Sequence, residues 1–175
     1  MPERNLIDLL IADHRAISGL LSAAHTSAAK KGWFCEIAQA LVVHEVAEEE
    51  IVYPVLWRLG GTSDMADVRL AEQHAVEHRL LTMERLDPNS VDFARALATL
   101  QRVVAEHAAK EEQETFRLLR AQLDEDELFM LGTMYQDAKA GAPAHLLVLG
   151  SIARLIEEVR QGVRVANQAA MAGAR

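Results

Sequence analysis

Cysteine is nearly absent from this chain of 175 residues, Cys35 being the single example. One thiol forms no intrachain disulfide and builds no thiolate metal cluster. Cys35 itself reads as a small buried hydrophobe. Aromatic residues make up only 5%, which leaves the core to Leu, Val, Ile, Ala and Met and favours helices over sheets. Positive charge is also short, with 18 Lys and Arg against 26 Asp and Glu and a net charge of −8. Nucleic-acid phosphates need a basic surface, so no nucleic-acid partner is expected. No apolar run approaches the roughly 20 residues needed to cross a bilayer. Residues 1–5 lack the basic flank and apolar stretch of an export signal. A soluble, cytoplasmic protein with no membrane partner is therefore expected. Gly-rich phosphate and dinucleotide loops are missing as well.

What is present is helical punctuation at long intervals. Glycine and proline cluster, and the stretches between clusters predict helices over about Asn5–Ala24, Trp33–Leu59, Ser63–Leu86, Ser90–Leu123, Asp126–Ala140 and Ala144–Val163. Thr26-Ser27, the helix-ending pair Gly60-Gly61 and the turn Asp87-Pro88-Asn89-Ser90 separate them. The small, polar tail from Ala166 is expected to fray. Short connections make consecutive helices antiparallel neighbours. The expectation is an all-α, antiparallel up-down four-helix bundle over residues 1–123, with a C-terminal helical extension over 124–175.

The apolar seam of each bundle helix follows an alternating four-three step, the mark of a helix facing other helices. It joins Ile7, Leu10, His14, Ile17 and Leu21 in the first helix, and Ile37, Leu41, His44, Glu48, Ile51 and Val55 in the second. In the fourth it joins Phe93, Leu97, Leu100, Val104, His107 and Glu111. Histidine and glutamate thus stand at core positions. His44 and Glu48, His74 and His78, and His107 and Glu111 are each four residues apart and share a helix face. An ionised glutamate buried without a partner costs several kcal/mol, so this set demands compensating positive charge, which metal ions supply. Each member lies near the middle of its helix, and antiparallel helices bring their midpoints level. His14, His44, Glu48, His74, His78, His107 and Glu111 are the candidate ligands. Imidazole with carboxylate suits iron, zinc or manganese.

The chain also repeats itself. His44-Glu-Val-Ala-Glu48 parallels His107-Ala-Ala-Lys-Glu111, and Asp13-His14 parallels Gln73-His74, with Ser18 where the second half has His78. In these motifs, over about residues 5–123, the chain resembles the hemerythrin-like family, including the bacterial HHE cation-binding domains. The resemblance implies two iron ions with an oxo or hydroxo bridge. It implies that His74, His78 and His107 hold one iron, and that His14 and His44 hold the other with an open position. Glu48 and Glu111 would bridge, and dioxygen, nitric oxide or peroxide would be the small ligand. Oxygen-carrying hemerythrins place an Asp five residues after the last histidine. Here Glu111 follows His107 by four and Glu112 by five, which points to the broader HHE group.

Around these residues, Glu45, Glu49, Glu50, Glu112 and Glu114 read as a solvated face, with Glu45 the exception to watch. His25 stands too far along its helix to join the set, and His145 reads as a surface residue. Tyr53 on a regular helix points about 140° away from Glu48, and Phe116 occupies the matching repeat position. A bend at Pro54 is the local feature that would turn its phenol back. The Glu-x-x-His pairs of ferritin-like diiron proteins and the His-Glu-x-x-His of zinc proteases are both absent. Three functions fit: a binder or sensor of dioxygen or nitric oxide, a catalase-like enzyme that disproportionates peroxide, and an iron-responsive module read by a protein partner of unknown identity.

Overall fold

Helices begin and end at the caps and breakers that the sequence carries. The computed structural model describes residues 5–23, 30–59, 62–143 and 151–173, and its regular elements there are all helical. In chain order they are α1 Leu6–Ala23, α2 Lys30–Ile51, α3 Tyr53–Arg58, α4 Ser63–Met83, α5 Val91–Lys110, α6 Phe116–Gln122, α7 Glu125–Ala140 and α8 Ile152–Gly173. A π-helical turn, Glu111–Thr115, joins α5 to α6. The Ser90 hydroxyl caps α5 by accepting from the Phe93 N–H at 3.0 Å, and Asp124 forms a reciprocal capping box with Glu127 on α7. Thr26, Ser27, His25, His145, Gly60 and Gly61 lie outside the described residues.

α1, α2, α4 and α5 make the four-helix bundle. α7 packs on α1 and α2, while α8 packs on α2 and α7. α2 is therefore enclosed on most sides, and Val42, His44, Glu45, Val46, Ala47 and Glu48 are all buried. One hydrophobic cluster includes Leu6 and Leu100 of the bundle together with Leu128, Tyr135 and Val163 of the C-terminal helices. The extension shares the bundle's core.

Two helices expected to be continuous are interrupted, both beside the candidate site. The stretch Trp33–Leu59 is split at Val52, because Pro54 has no N–H to donate and its ring crowds the preceding turn. Hydrogen bonding resumes when the Val55 N–H donates to the Val52 carbonyl at 3.1 Å. In the fourth helix the wider π turn shifts the register, so that Glu111, Thr115 and Phe116 are all buried. The tail expected to fray from Ala166 is instead helical to Gly173, as its alanine content favours. Cys35 is half-buried rather than buried.

Candidate metal centre

Three histidines are held in the same way. The Nδ1–H of His14 donates to Glu112 Oε1 at 2.9 Å, and that of His107 donates to Glu72 Oε2 at 3.0 Å. A carboxylate only accepts, so each of these rings carries its proton on Nδ1. His44 Nδ1 lies 2.9 Å from the Tyr135 hydroxyl, and that hydroxyl donates to Asp13 Oδ2 at 2.7 Å. Tyr135 has thereby used its proton and accepts from His44. Each ring is anchored outward through Nδ1 and turns Nε2 inward as a free lone pair. Outer hydrogen bonds of this kind fix ligating histidines in metal sites.

The inner nitrogens face carboxylate oxygens. His14 Nε2 is 3.3 Å from Glu111 Oε2, and His107 Nε2 is 3.4 Å from the same oxygen. His44 Nε2 is 3.6 Å from Glu48 Oε2. His14 Nε2, His107 Nε2, Glu48 Oε1, Glu111 Oε2 and Glu45 Oε2 are buried with no hydrogen-bond partner. Ligand atoms of His14, His44, Glu48 and Glu111 all lie within 4.8 Å of one another. Buried acceptors that converge without a donor are costly, and a cation at their centre removes the cost. The donor set fits a metal.

The carboxylates show the same frustration. Burial, then the nearby Glu111 and Glu45 carboxylates, push Glu48 well above the usual carboxylate range. Burial and the Glu77, Glu49 and Glu111 carboxylates do the same to Glu45. For Glu111, burial is outweighed by the nearby His14, His107 and His44 rings, which hold it low. Glu72 is buried in part, yet Lys110, His107 and Arg69 together bring it down to about 2. Around this gap Gln73 Nε2–H donates to Glu48 Oε2 at 2.7 Å, and the Tyr53 hydroxyl donates to Glu111 Oε1 at 3.3 Å. The break at Pro54 has turned the phenol inward.

The family model of the hemerythrin HHE cation-binding domain matches residues 5–119. The chain belongs to the hemerythrin HHE cation-binding domain family. A crystal structure of an HHE domain-containing protein from Mycobacterium kansasii superposes with a TM-score of 0.74 at 21% identity, covering 89% of this chain and 99% of that one. The shared fold thus takes in more of the chain than the family match spans. A protein of Nostoc sp. named DNA nickase is 24% identical over 141 residues, which are 79% of this chain. This chain spans 40% of that relative's length.

Of the seven candidate ligands, this HHE domain brings together His14, His44, Glu48, His107 and Glu111, and it does not bring His74 and His78 to the cluster. Half of the His74 side chain is exposed, with Nε2 3.8 Å from Glu49 Oε1, and His78 is exposed. α4 instead turns Gln73 and Glu77 inward, in step with Val76, Leu80 and Met83. Turning the histidines in would rotate the helix by about 100° and carry Leu80 and Met83 out to water. The repeat with Asp13-His14 therefore slips by one residue in the folded chain. Glu45, the expected exception among the solvated glutamates, is buried, because α2 is enclosed by the C-terminal helices and α4. Its neighbours Glu49 and Glu50 pair with Arg160 and Arg164 of α8. Glu112 and Glu114 are partly exposed, but they hold His14 and Arg69. Tyr135, Asp13 and Glu72 carry no sequence signal that marks them, since each acts through a partner distant in the chain.

Proposed function

We propose that this HHE domain holds two iron ions and binds dioxygen, nitric oxide or peroxide at them. The reading is carried by the three anchored histidines whose Nε2 lone pairs converge on unpartnered carboxylates. His14 and His44 take one ion. His107, Glu45 and the Tyr53 phenol take the other, in place of the exposed His74 and His78. Glu48 and Glu111 would serve both. The ions would supply positive charge beside Glu45, Glu48 and Glu111 and, as iron, redox chemistry for a small ligand. The protein's own part is to hold the three imidazoles in orientation and to leave an oxygen of Glu48 and of Glu111 without a donor. We do not carry nicking over from the Nostoc protein, because a net charge of −8 opposes binding to phosphate backbones.

Metal analysis of protein produced with ample iron tests the count, and absorption spectroscopy tests for a bridged ferric pair. Two irons per chain are expected. One ion per chain, or two zinc ions, overturns the reading. Stopped-flow mixing separates the functions: a stable coloured adduct with dioxygen marks a binder, and gas evolution from peroxide marks a catalase. Metal-dependent folding with neither response marks an interaction module.

A further inference from the structure

Between α1 and α5 lies a cavity of about 380 Å³. His14, His44, Glu45 and His107 form its inner end, while Glu48 and Glu111 do not line it. It is therefore a chamber beside the gap between the carboxylates and not the gap itself. Its walls are Ile17, Leu21, Leu41, Val76 and Val104. Ser18, Ser22, Ala105 and Ala108 also line it, and these small side chains cannot fill the space between the two helices. Gln101 fixes the wall by donating from Nε2 to the Leu21 carbonyl at 2.8 Å.

Dioxygen or hydrogen peroxide needs about the roughly 30 Å³ share of one water molecule, so either would leave most of this chamber empty. Sites for organic molecules begin at about 300 Å³ and join apolar walls to a few placed polar groups. Here the walls are aliphatic, and the strongly polar groups stand together at the inner end. A matching occupant has an apolar body and a small polar head directed at the imidazoles. We propose that this chamber binds organic hydroperoxides, with the peroxide head at its inner end, beside the candidate metal centre, and the hydrocarbon body against Ile17, Leu41 and Val104. This rests on the small-ligand reading above and adds to it the class of molecule. The proposal concerns binding and invokes no electron transfer.

The probes are cumene hydroperoxide, hydrogen peroxide and the redox-inert 2-phenyl-2-propanol. Calorimetry should show saturable binding of 2-phenyl-2-propanol to both metal-free and iron-loaded protein. Val104→Phe and Ala108→Leu fill the chamber from two points, and helical circular dichroism checks that each variant folds. Each should weaken 2-phenyl-2-propanol by about tenfold or more. Each should also slow the response of the iron spectrum to cumene hydroperoxide and leave the response to hydrogen peroxide unchanged. The proposal is overturned if 2-phenyl-2-propanol fails to bind, or if both folded variants bind it like the parent. Iron that responds to hydrogen peroxide but not to cumene hydroperoxide also overturns it, and leaves the small-ligand reading standing. Iron that responds to neither overturns the proposal and removes peroxide from the small-ligand reading.

Discussion

Tyr135 and His44 are 91 residues apart in the chain, and their side chains meet at 2.9 Å inside it. The contact joins α7, which lies beyond the stretch matched by the family model, to a histidine of the candidate metal centre. Tyr135 is buried, and Asp13 receives its proton while also pairing with Lys139. Burial raises the Asp13 carboxyl, but the nearby His44 ring and the hydrogen bonds from Lys139 and Tyr135 outweigh it and hold the group below the usual range. A charged Asp13 keeps the Tyr135 hydroxyl turned toward it, and so keeps the oxygen lone pair available to His44. The extension fixes the orientation of a candidate ligand.

Tyr135→Phe should therefore weaken metal binding while the protein stays folded. Loss of an outer hydrogen bond to a ligating histidine commonly costs about 10- to 100-fold in affinity. Competition against a chelator measures it. Affinity equal to the parent's would show that packing alone orients His44.

Replacement of Glu111 and Glu112 should separate ligation from orientation. Glu111→Ala should lose bound metal, since its buried oxygen faces both His14 and His107. Glu112→Ala should retain metal with affinity lowered by about tenfold, since it removes only the acceptor for His14 Nδ1. Metal content after dialysis checks both. If Glu112→Ala loses all metal and Glu111→Ala keeps it, the last helix uses the five-residue spacing of the oxygen carriers.

The two faces of α4 and α2 give opposite expectations. His74→Ala and His78→Ala should leave metal content at the parental level, because both side chains are exposed. Glu45→Gln should lower it, and Tyr53→Phe should shift the iron absorption. Iron analysis of the four variants, with thermal melts as a folding control, decides the matter. Loss of iron on replacing His74 or His78 would mean that α4 rotates when metal enters.

Metal-free and metal-loaded protein should respond to pH with opposite signs. Burial and neighbouring carboxylates raise Glu45 and Glu48 above the ordinary value of 4.5. For His14, burial is overcome by Glu111 and Glu112, which raise it above 6.5. A group raised by folding contributes stability below its unfolded value and loses it as pH climbs through the folded value. Burial lowers His44 and opposes this trend, but the raised groups outnumber it. The metal-free protein should therefore melt higher at about pH 6 than at about pH 8. With metal bound the carboxylates stay charged, protons compete with the metal, and the order should reverse. Melting curves at the two pH values, with and without metal, provide the check.

The sequence by itself determined the helical class, the four-helix bundle and the greater part of the centre. It could do so because a four-three apolar step fixes which face of α1, α2 and α5 is buried, and His14, His44, Glu48, His107 and Glu111 fall on that face. In α4 it pointed to His74 and His78, whereas the fold turns Gln73 and Glu77 inward; Gln73-His74 and Glu77-His78 are adjacent doublets that fit the spacing equally well. The choice between them was made by Leu80 and Met83, whose burial sets the rotation of the helix. The burial of Glu45 depended on α4 and the C-terminal helices closing over α2, and the inward turn of Tyr53 on how the chain breaks at Pro54. The links from His44 to Tyr135, His14 to Glu112 and His107 to Glu72 span 91, 98 and 35 residues. Helical periodicity relates only residues a turn or two apart, so contacts of that length exist only once the helices have packed.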